Sequence, residues 1–309
     1  MYPAAVGTPP NMLSTNQLRQ VAARSGARDI GNVEIDVILT YLLQLFHERG
    51  LTQHLAFKGG TMLRKMIFGP RGRLSTDLDF TRHTTVSQDD LMLMILDALD
   101  APYHGLSFRL DRDKDWYFTD DGCAANPVCC HDDNPRGVKI KLQVSTREAP
   151  ILPVMPMVQI PQDYFRLLPF APAEIPCLAL EEVVAEKIRA ASQRSKIRDL
   201  HDLSELAKRP LDRDRIRALA VLKLWNGDGQ GLSFDIFRRR VEGGADYDVG
   251  DLKNLLRRDE TPDLAVMIER AVDGFQFLGT LTDLERVVAA DNAHRARKEA
   301  SELMALATA

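Results

Sequence analysis

The chain contains no apolar run approaching the roughly 18 residues that a membrane-spanning helix requires, so no membrane association is expected. Its first stretch, MYPAAVGTPPNML, lacks the basic and apolar regions of a signal peptide, and the expected location is the cytoplasm. Cysteine is scarce. Three of the four, Cys123, Cys129 and Cys130, lie near His131, but none shows the paired C-x2–4-C spacing of a zinc site. Reduced thiols in a loop are the expectation. Neither G-x-x-x-x-G-K-[ST] nor H-E-x-x-H occurs. Asp111, Asp113 and Asp115 begin like a calcium loop, but Trp116 and Gly122 stand where Gly and Glu are needed. A net charge of −4 excludes a polycation that binds nucleic acid over its whole surface. Cations do cluster at Arg64–Arg73, Lys187–Arg198 and Arg238–Arg240, either as solvated helix faces or as one basic face for a polyanion.

The 309 residues, 45% hydrophobic, are enough for a substantial core and favour two domains. Residues 1–12 read as a loose Pro/Gly tail, with Met12 a second candidate start. Residues 13–172 read as mixed α and β: a helix over 32–49, a strand over 54–57, a helix over 61–68, a strand over 77–81 and a helix over 88–99 capped by Ser87. Short strands follow near 105–110 and 116–118, then one long alternating strand over 137–145. Prolines punctuate 150–176. Residues 173–309 read as helical, with helices over 180–193, 198–208 and 212–225.

Chemistry is concentrated in 54-HLAFKGGTMLRKMIFGPRGRLSTDLDF-80. Residues i and i+2 of a strand share a face, so Asp77 and Asp79 point together while Leu78 and Phe80 enter the core. Two adjacent carboxylates repel unless a cation joins them, and Mg²⁺ takes one or two carboxylates plus phosphate oxygens. The competing reading is a solvated strand end. Ahead of the acids, Lys58-Gly59-Gly60-Thr61 forms a turn whose glycines permit unusual torsions and whose N–H groups suit an anion; the plain alternative is a tight turn. Thr61 can cap the following helix or bond a phosphate oxygen. Further on, Lys187, Asp199 and Asp202 lie on amphipathic helices, where salt bridging competes with a role for Lys187 on phosphates and for Asp199 as a base or as an orienting group for Lys187.

K-G-G-T, D-L-D-F from Asp77, E-E-x-x-A-E-K ending at Lys187 and R-D-L-x-D-L from Arg198 together resemble the AbiEii-type nucleotidyltransferases of type IV toxin–antitoxin systems, including the mycobacterial MenT group. The resemblance spans about 54–225. It implies an α+β, polymerase-β-like nucleotidyltransferase domain over 13–172 and a helical C-terminal lobe over 173–309. It implies Gly59, Gly60, Thr61 and Lys187 as nucleotide-binding residues and Asp77 and Asp79 as metal ligands. Lys58, Asp77, Lys187 and Asp199 become the catalytic set. The implied cofactor is Mg²⁺, with Mn²⁺ as the alternative, and the substrate is an NTP. The acceptor is expected to be the 3′ end of tRNA, with arrest of translation, and a cognate antitoxin is an expected partner. One departure stands out: the strand expected to supply a third carboxylate offers Gln143. Ser75, two residues before Asp77, is a candidate phosphorylation site. The other readings are a nucleotide-sugar glycosyltransferase, which also uses D-x-D, and a non-catalytic nucleotide- or RNA-binding regulator on a degenerate transferase fold.

Overall fold

Alternation in the short strands and one long helix, buried on every side from Asp36 to Phe46 rather than along a single stripe, determine the first half of the structure. The computed structural model describes residues 11–111, 113–227, 231–243 and 247–309. They form two units. One contains the described residues through Ala149, Met155–Cys177 and Leu255–Asp259; the other contains Pro150–Val154, the described residues of Leu178–Asn254, and Glu260–Ala309.

The first unit is built on a seven-stranded mixed sheet of order β4-β5-β8-β2-β1-β10-β9. Its members are β1 (Leu55–Lys58), β2 (Asp77–Arg82), β4 (Trp116–Thr119), β5 (Gly122–Ala125), β8 (Lys141–Ser145), β9 (Met155–Met157) and β10 (Ile175–Cys177). β1 pairs antiparallel with β2, and β2 pairs parallel with β8. The long helix α2 (Ile30–Glu48) covers one face: Phe46 meets Phe80 at 6.0 Å between ring centroids, and Phe80 meets Phe57 at 5.4 Å. Removing a fully packed aromatic such as Phe80 costs about 3–5 kcal/mol. The sheet turns Asp77 and Asp79 away from this apolar face.

The expected strand over 137–145 is divided. β7 (Asn134–Lys139) joins a small sheet with β3 (Ser107–Arg109) and β6 (Val128–His131), whereas β8 starts at Lys141. Ile140 is the hinge: it is buried, and its N–H donates to Pro127 O at 2.9 Å. Alternation is blind to such a break because the side-chain period survives it. The cysteines also differ from expectation. Cys123 lies on β5 and Cys129 and Cys130 on β6, all buried rather than in a loop. Burial pushes Cys123 up to about 11 and Cys177 to about 12, and raises Cys129 further. His131 is bound to Glu34 at 3.0 Å. Among the described residues no three His, Cys, Asp or Glu side chains are grouped to hold a metal. Met12, assigned to the loose tail, is buried, and its N–H donates to His104 O at 2.7 Å; residues 1–10 lie outside the described residues. Helix α1 (Thr15–Ser25), closed by a Ser14–Gln17 capping box, has no counterpart in the sequence reading because it buries only a narrow stripe.

Helix α4 (Gln88–Asp100) also belongs to the first unit. The second unit is helical: α5 (Leu180–Gln193), α6 (Ile197–Leu206), α7 (Arg213–Trp225), α8 (Phe234–Glu242), α9 (Val249–Leu255, its last residue counted with the first unit), α10 (Leu264–Gly274), α11 (Asp283–Ala290) and α12 (Arg297–Thr308). α7 is the central helix, buried continuously from Ile216 to Leu224. Even Lys223 is buried there, paired with Glu182 at 2.7 Å; Glu182 also accepts from Ile151 N and Leu152 N, each at 2.9 Å. No helix among the described residues is long and apolar enough to cross a membrane.

Candidate active site

The glycine turn and the acidic strand are built as one piece. β1 ends at Lys58, whose backbone is paired in register with Asp79 of β2. Gly59 then turns at φ +77°, in the left-handed region, and starts the short helix α3 (Gly59–Met62), which continues as a π-helical turn over Leu63–Phe68. A Cβ on Gly59 would stand 2.4 Å from Asp79 Oδ2, so glycine is required for space as well as for torsion. Thr61 is 1% exposed, and its hydroxyl donates to Asp77 O at 2.5 Å. It neither caps α3 nor points a free hydroxyl outward; it binds the turn to the start of β2.

Asp77 and Asp79 are half-buried while Leu78 and Phe80 are buried, as alternation predicts. Asp77 Oδ1 accepts from the Thr76 hydroxyl at 2.5 Å and from the Thr76 N–H at 3.2 Å. On the neighbouring strand β8, Lys141 is in register with Asp77 and Gln143 with Asp79. The row across the sheet therefore reads Lys58, Asp79, Gln143. Two carboxylates on one face, with an amide oxygen beside them and a glycine turn against one of them, form a donor set suited to a hard divalent ion that keeps phosphate or water ligands. Ser75 is buried beside the turn, its Oγ 3.4 Å from where a Gly60 Cβ would be.

The other sequence-derived residues belong to the second unit. Lys187 on α5 reaches Asp199 Oδ1 at 2.9 Å and Asp202 Oδ2 at 2.8 Å, both on α6. Arg194 closes on the opposite oxygen, Asp199 Oδ2, at 2.9 Å. Burial disfavours the charge on Asp199, but Lys187 and Arg194 outweigh it and hold the carboxyl below the usual range. Asp202 and Arg194 were not picked out by the sequence as site residues. The i,i+3 spacing of Asp199 and Asp202 signals that both can face one cation, but nothing in the sequence indicates which one. Two of the cationic clusters do meet within this unit: the Ser195 hydroxyl donates to Arg240 O at 3.1 Å, beside exposed Arg194, Lys196, Arg239 and Arg240.

The family model described as "Nucleotidyl transferase AbiEii toxin, Type IV TA system" matches residues 41–290, from α2 through α11. The protein belongs to this family. It is similar in structure to MenT4, nucleotidyltransferase toxin Rv2826c from Mycobacterium tuberculosis H37Rv, with a TM-score of 0.79 and 26% identity over 94% of this chain and 99% of that one. A putative nucleotidyltransferase from H. pylori has a TM-score of 0.46 at 20% identity over 79% of this chain and 94% of its own. JHP933 from Helicobacter pylori has 0.45 at 20% identity over 87% and 97%. No curated protein matches the sequence. The AbiEii membership and the likeness to MenT4 establish the nucleotidyltransferase toxin fold, with its mixed α/β part and C-terminal helices.

Proposed function

We propose that this AbiEii protein transfers a nucleoside monophosphate from an NTP to the 3′ end of tRNA in the cytoplasm, arresting translation until a cognate antitoxin intervenes. The observation that carries this reading is the fit of Asp79 against Gly59, which puts a metal-type carboxylate in contact with the turn suited to phosphate. Asp77 and Asp79 would hold Mg²⁺, or Mn²⁺ in its place, and a bound ion would supply neutralisation of phosphate charge. Lys58, in register with Asp79, adds a cation to the triphosphate site. Gly59 and Gly60 offer it backbone N–H groups, and Thr61 fixes that turn from beneath.

In the transfer, the acceptor hydroxyl oxygen forms a bond to the α-phosphorus as the bond to the bridging oxygen breaks. Pyrophosphate leaves with that electron pair, and the hydroxyl proton passes to the Asp77–Asp79 carboxylate pair. Lys187 is the second phosphate-directed cation. Asp199, bound to Lys187 on one oxygen and to Arg194 on the other, orients Lys187. The exposed cations Arg194, Lys196, Arg239 and Arg240 support a polyanionic acceptor. Phosphorylation of Ser75 would add about two negative charges beside the turn; a Ser75→Glu variant with full activity would count against that role.

The test is incubation with each labelled NTP, Mg²⁺ and total tRNA, beside an Asp79→Ala control. Label on tRNA with one NTP, absent in the variant, supports the proposal and names the donor. Gln143, an amide in register with Asp79, favours a second reading, a nucleotide- or RNA-binding regulator on an inactive transferase fold. NTP binding without transfer to any RNA or protein would select it.

A further inference from the structure

The two glycines of the turn are glycines for different reasons. Gly59 has a left-handed φ of +77°. Gly60 has a negative φ inside a right-handed helix, where alanine would be comfortable. What a side chain at 60 would meet is Arg73: a Cβ there would stand 2.5 Å from Arg73 Nη2 and 3.3 Å from Cζ, so the guanidinium would have to move. The missing side chain makes a notch, and a guanidinium fills it.

The placement is fixed from several directions. Arg73 is 5% exposed, and its Nη1 donates to Leu74 O at 3.2 Å. The loop before it is held by Arg64, whose guanidinium donates to Gly69 O and, at 3.1 Å, to Gly72 O. Arg64 is held in turn by Asp36 at 3.8 Å. On the other side the Leu74 N–H donates to Leu255 O at 2.9 Å. The loop that carries Arg73 is thereby held, and its buried guanidinium lies against the turn. The glycine pair is the shared contact surface of an acid and a base, with the Asp79 carboxylate at Gly59 and the Arg73 guanidinium at Gly60. A guanidinium stays charged at every physiological pH, and a charge screened from water acts more strongly on a neighbouring anion than an exposed one does.

We propose that Arg73 is a positioning residue for the triphosphate of the donor nucleotide, its guanidinium seated in the Gly60 notch and its charge acting through the turn on phosphate held at the Gly59–Gly60 backbone. This rests on the reading of the site as one that binds NTP. It makes Gly60 and Arg73 a single functional unit, because any side chain at 60 displaces the cation.

The test is a double-mutant cycle on the full chain, with inorganic tripolyphosphate as the probe, read by calorimetry with and without Mg²⁺. Arg73→Met is expected to weaken binding about tenfold, the scale of one charge-assisted interaction, and Arg73→Lys to recover most of it. Gly60→Ala is expected to weaken binding similarly, and the double variant to bind no worse than Arg73→Met. An alanine that merely blocked phosphate would instead add its full effect to that of Arg73→Met, and full additivity overturns the proposal. So does wild-type affinity in Arg73→Met or, should that variant fail to fold, in Gly60→Ala. Absence of tripolyphosphate binding by the wild type also overturns it. Wild-type protein that binds tripolyphosphate with the expected cycle yet transfers no nucleotide would instead refute the transferase reading and leave Arg73 in place.

Discussion

The carboxylate of Asp79 occupies the space in which a side chain of Gly59 would have to lie: a Cβ at 59 would fall 2.4 Å from Oδ2 and 2.9 Å from the Asp79 Cβ. The turn and the acid are two surfaces of one contact, so neither can change alone. Gly59→Ala must adopt a left-handed torsion, at a cost of about 1–2 kcal/mol, and must also push Asp79 aside. We expect a thermal midpoint lowered by several degrees and transfer activity reduced by about a hundredfold or more, since displacing a reacting group by about 1 Å costs that much. A Gly59→Ala enzyme with normal turnover would separate the turn from catalysis.

Gln143 provides a test that runs towards gain. It is in register with Asp79 on a parallel strand, so Gln143→Glu would place a second carboxylate on that row and a third beside Asp77 and Asp79. Without metal, the added like charge should lower the thermal midpoint; with Mg²⁺ the loss should be reversed, and half-saturation should occur at a lower Mg²⁺ concentration. An unchanged Mg²⁺ requirement would mean that position 143 does not face the ion.

Asp199 links the helical unit to pH. Its folded-state pKa is depressed, so its ion pairs with Lys187 and Arg194 contribute stability that is fully present above the unfolded value of about 3.9 and is lost as pH falls through the folded value. Equilibrium unfolding between pH 7 and 3 should show this loss at the acid end, and Asp199→Asn should flatten it. Asp199→Ala leaves Lys187 still paired with Asp202 and releases the largely exposed Arg194 to water, and should cost about 1–2 kcal/mol. The same variant should impair turnover more than nucleotide affinity if Asp199 acts by orienting Lys187.

Asp36 and Lys65 form a second buried pair, 2% and 1% exposed at 3.1 Å, with the Tyr164 hydroxyl donating to Asp36 Oδ2 at 2.9 Å. Burial opposes the charge on both: at Asp36 the Lys65 and Arg64 cations outweigh it and hold the carboxyl below its ordinary value, whereas at Lys65 burial prevails over the pull of Asp36 and pushes the ammonium down. Asp36→Ala would strand Lys65 in a low-dielectric interior and cost about 3–5 kcal/mol. Asp36→Ala with Lys65→Met should recover much of that, as measured by chemical denaturation.

The cysteines should be inert. Burial raises the thiols of Cys123, Cys129 and Cys177 well above neutrality. Iodoacetamide at pH 7.5 should leave them unmodified in the native protein and alkylate all four in denaturant. Rapid native labelling of any of these three would contradict the burial.

The order of residues settled what depends on nearest neighbours along the chain. The existence of α2, the alternation of β2 that separates Asp77 and Asp79 from Leu78 and Phe80, and the glycine turn ahead of them follow from periods of 3.6 and 2 and from torsional freedom; that α2 is enclosed on every side, and not along one stripe, does not. So did the family, through motifs that are weak singly and specific together. Three-dimensional packing set which distant groups meet. It broke the alternating run at Ile140 between two sheets and buried the cysteines on strands. It set Gln143 in register beside Asp79 and divided Lys187 between Asp199 and Asp202. It also lodged Arg73 in the space left by Gly60. A side-chain period survives a change of sheet, and charge complementarity is indifferent to which partner fulfils it. Register and pairing are therefore set by packing across the fold, which no local pattern records.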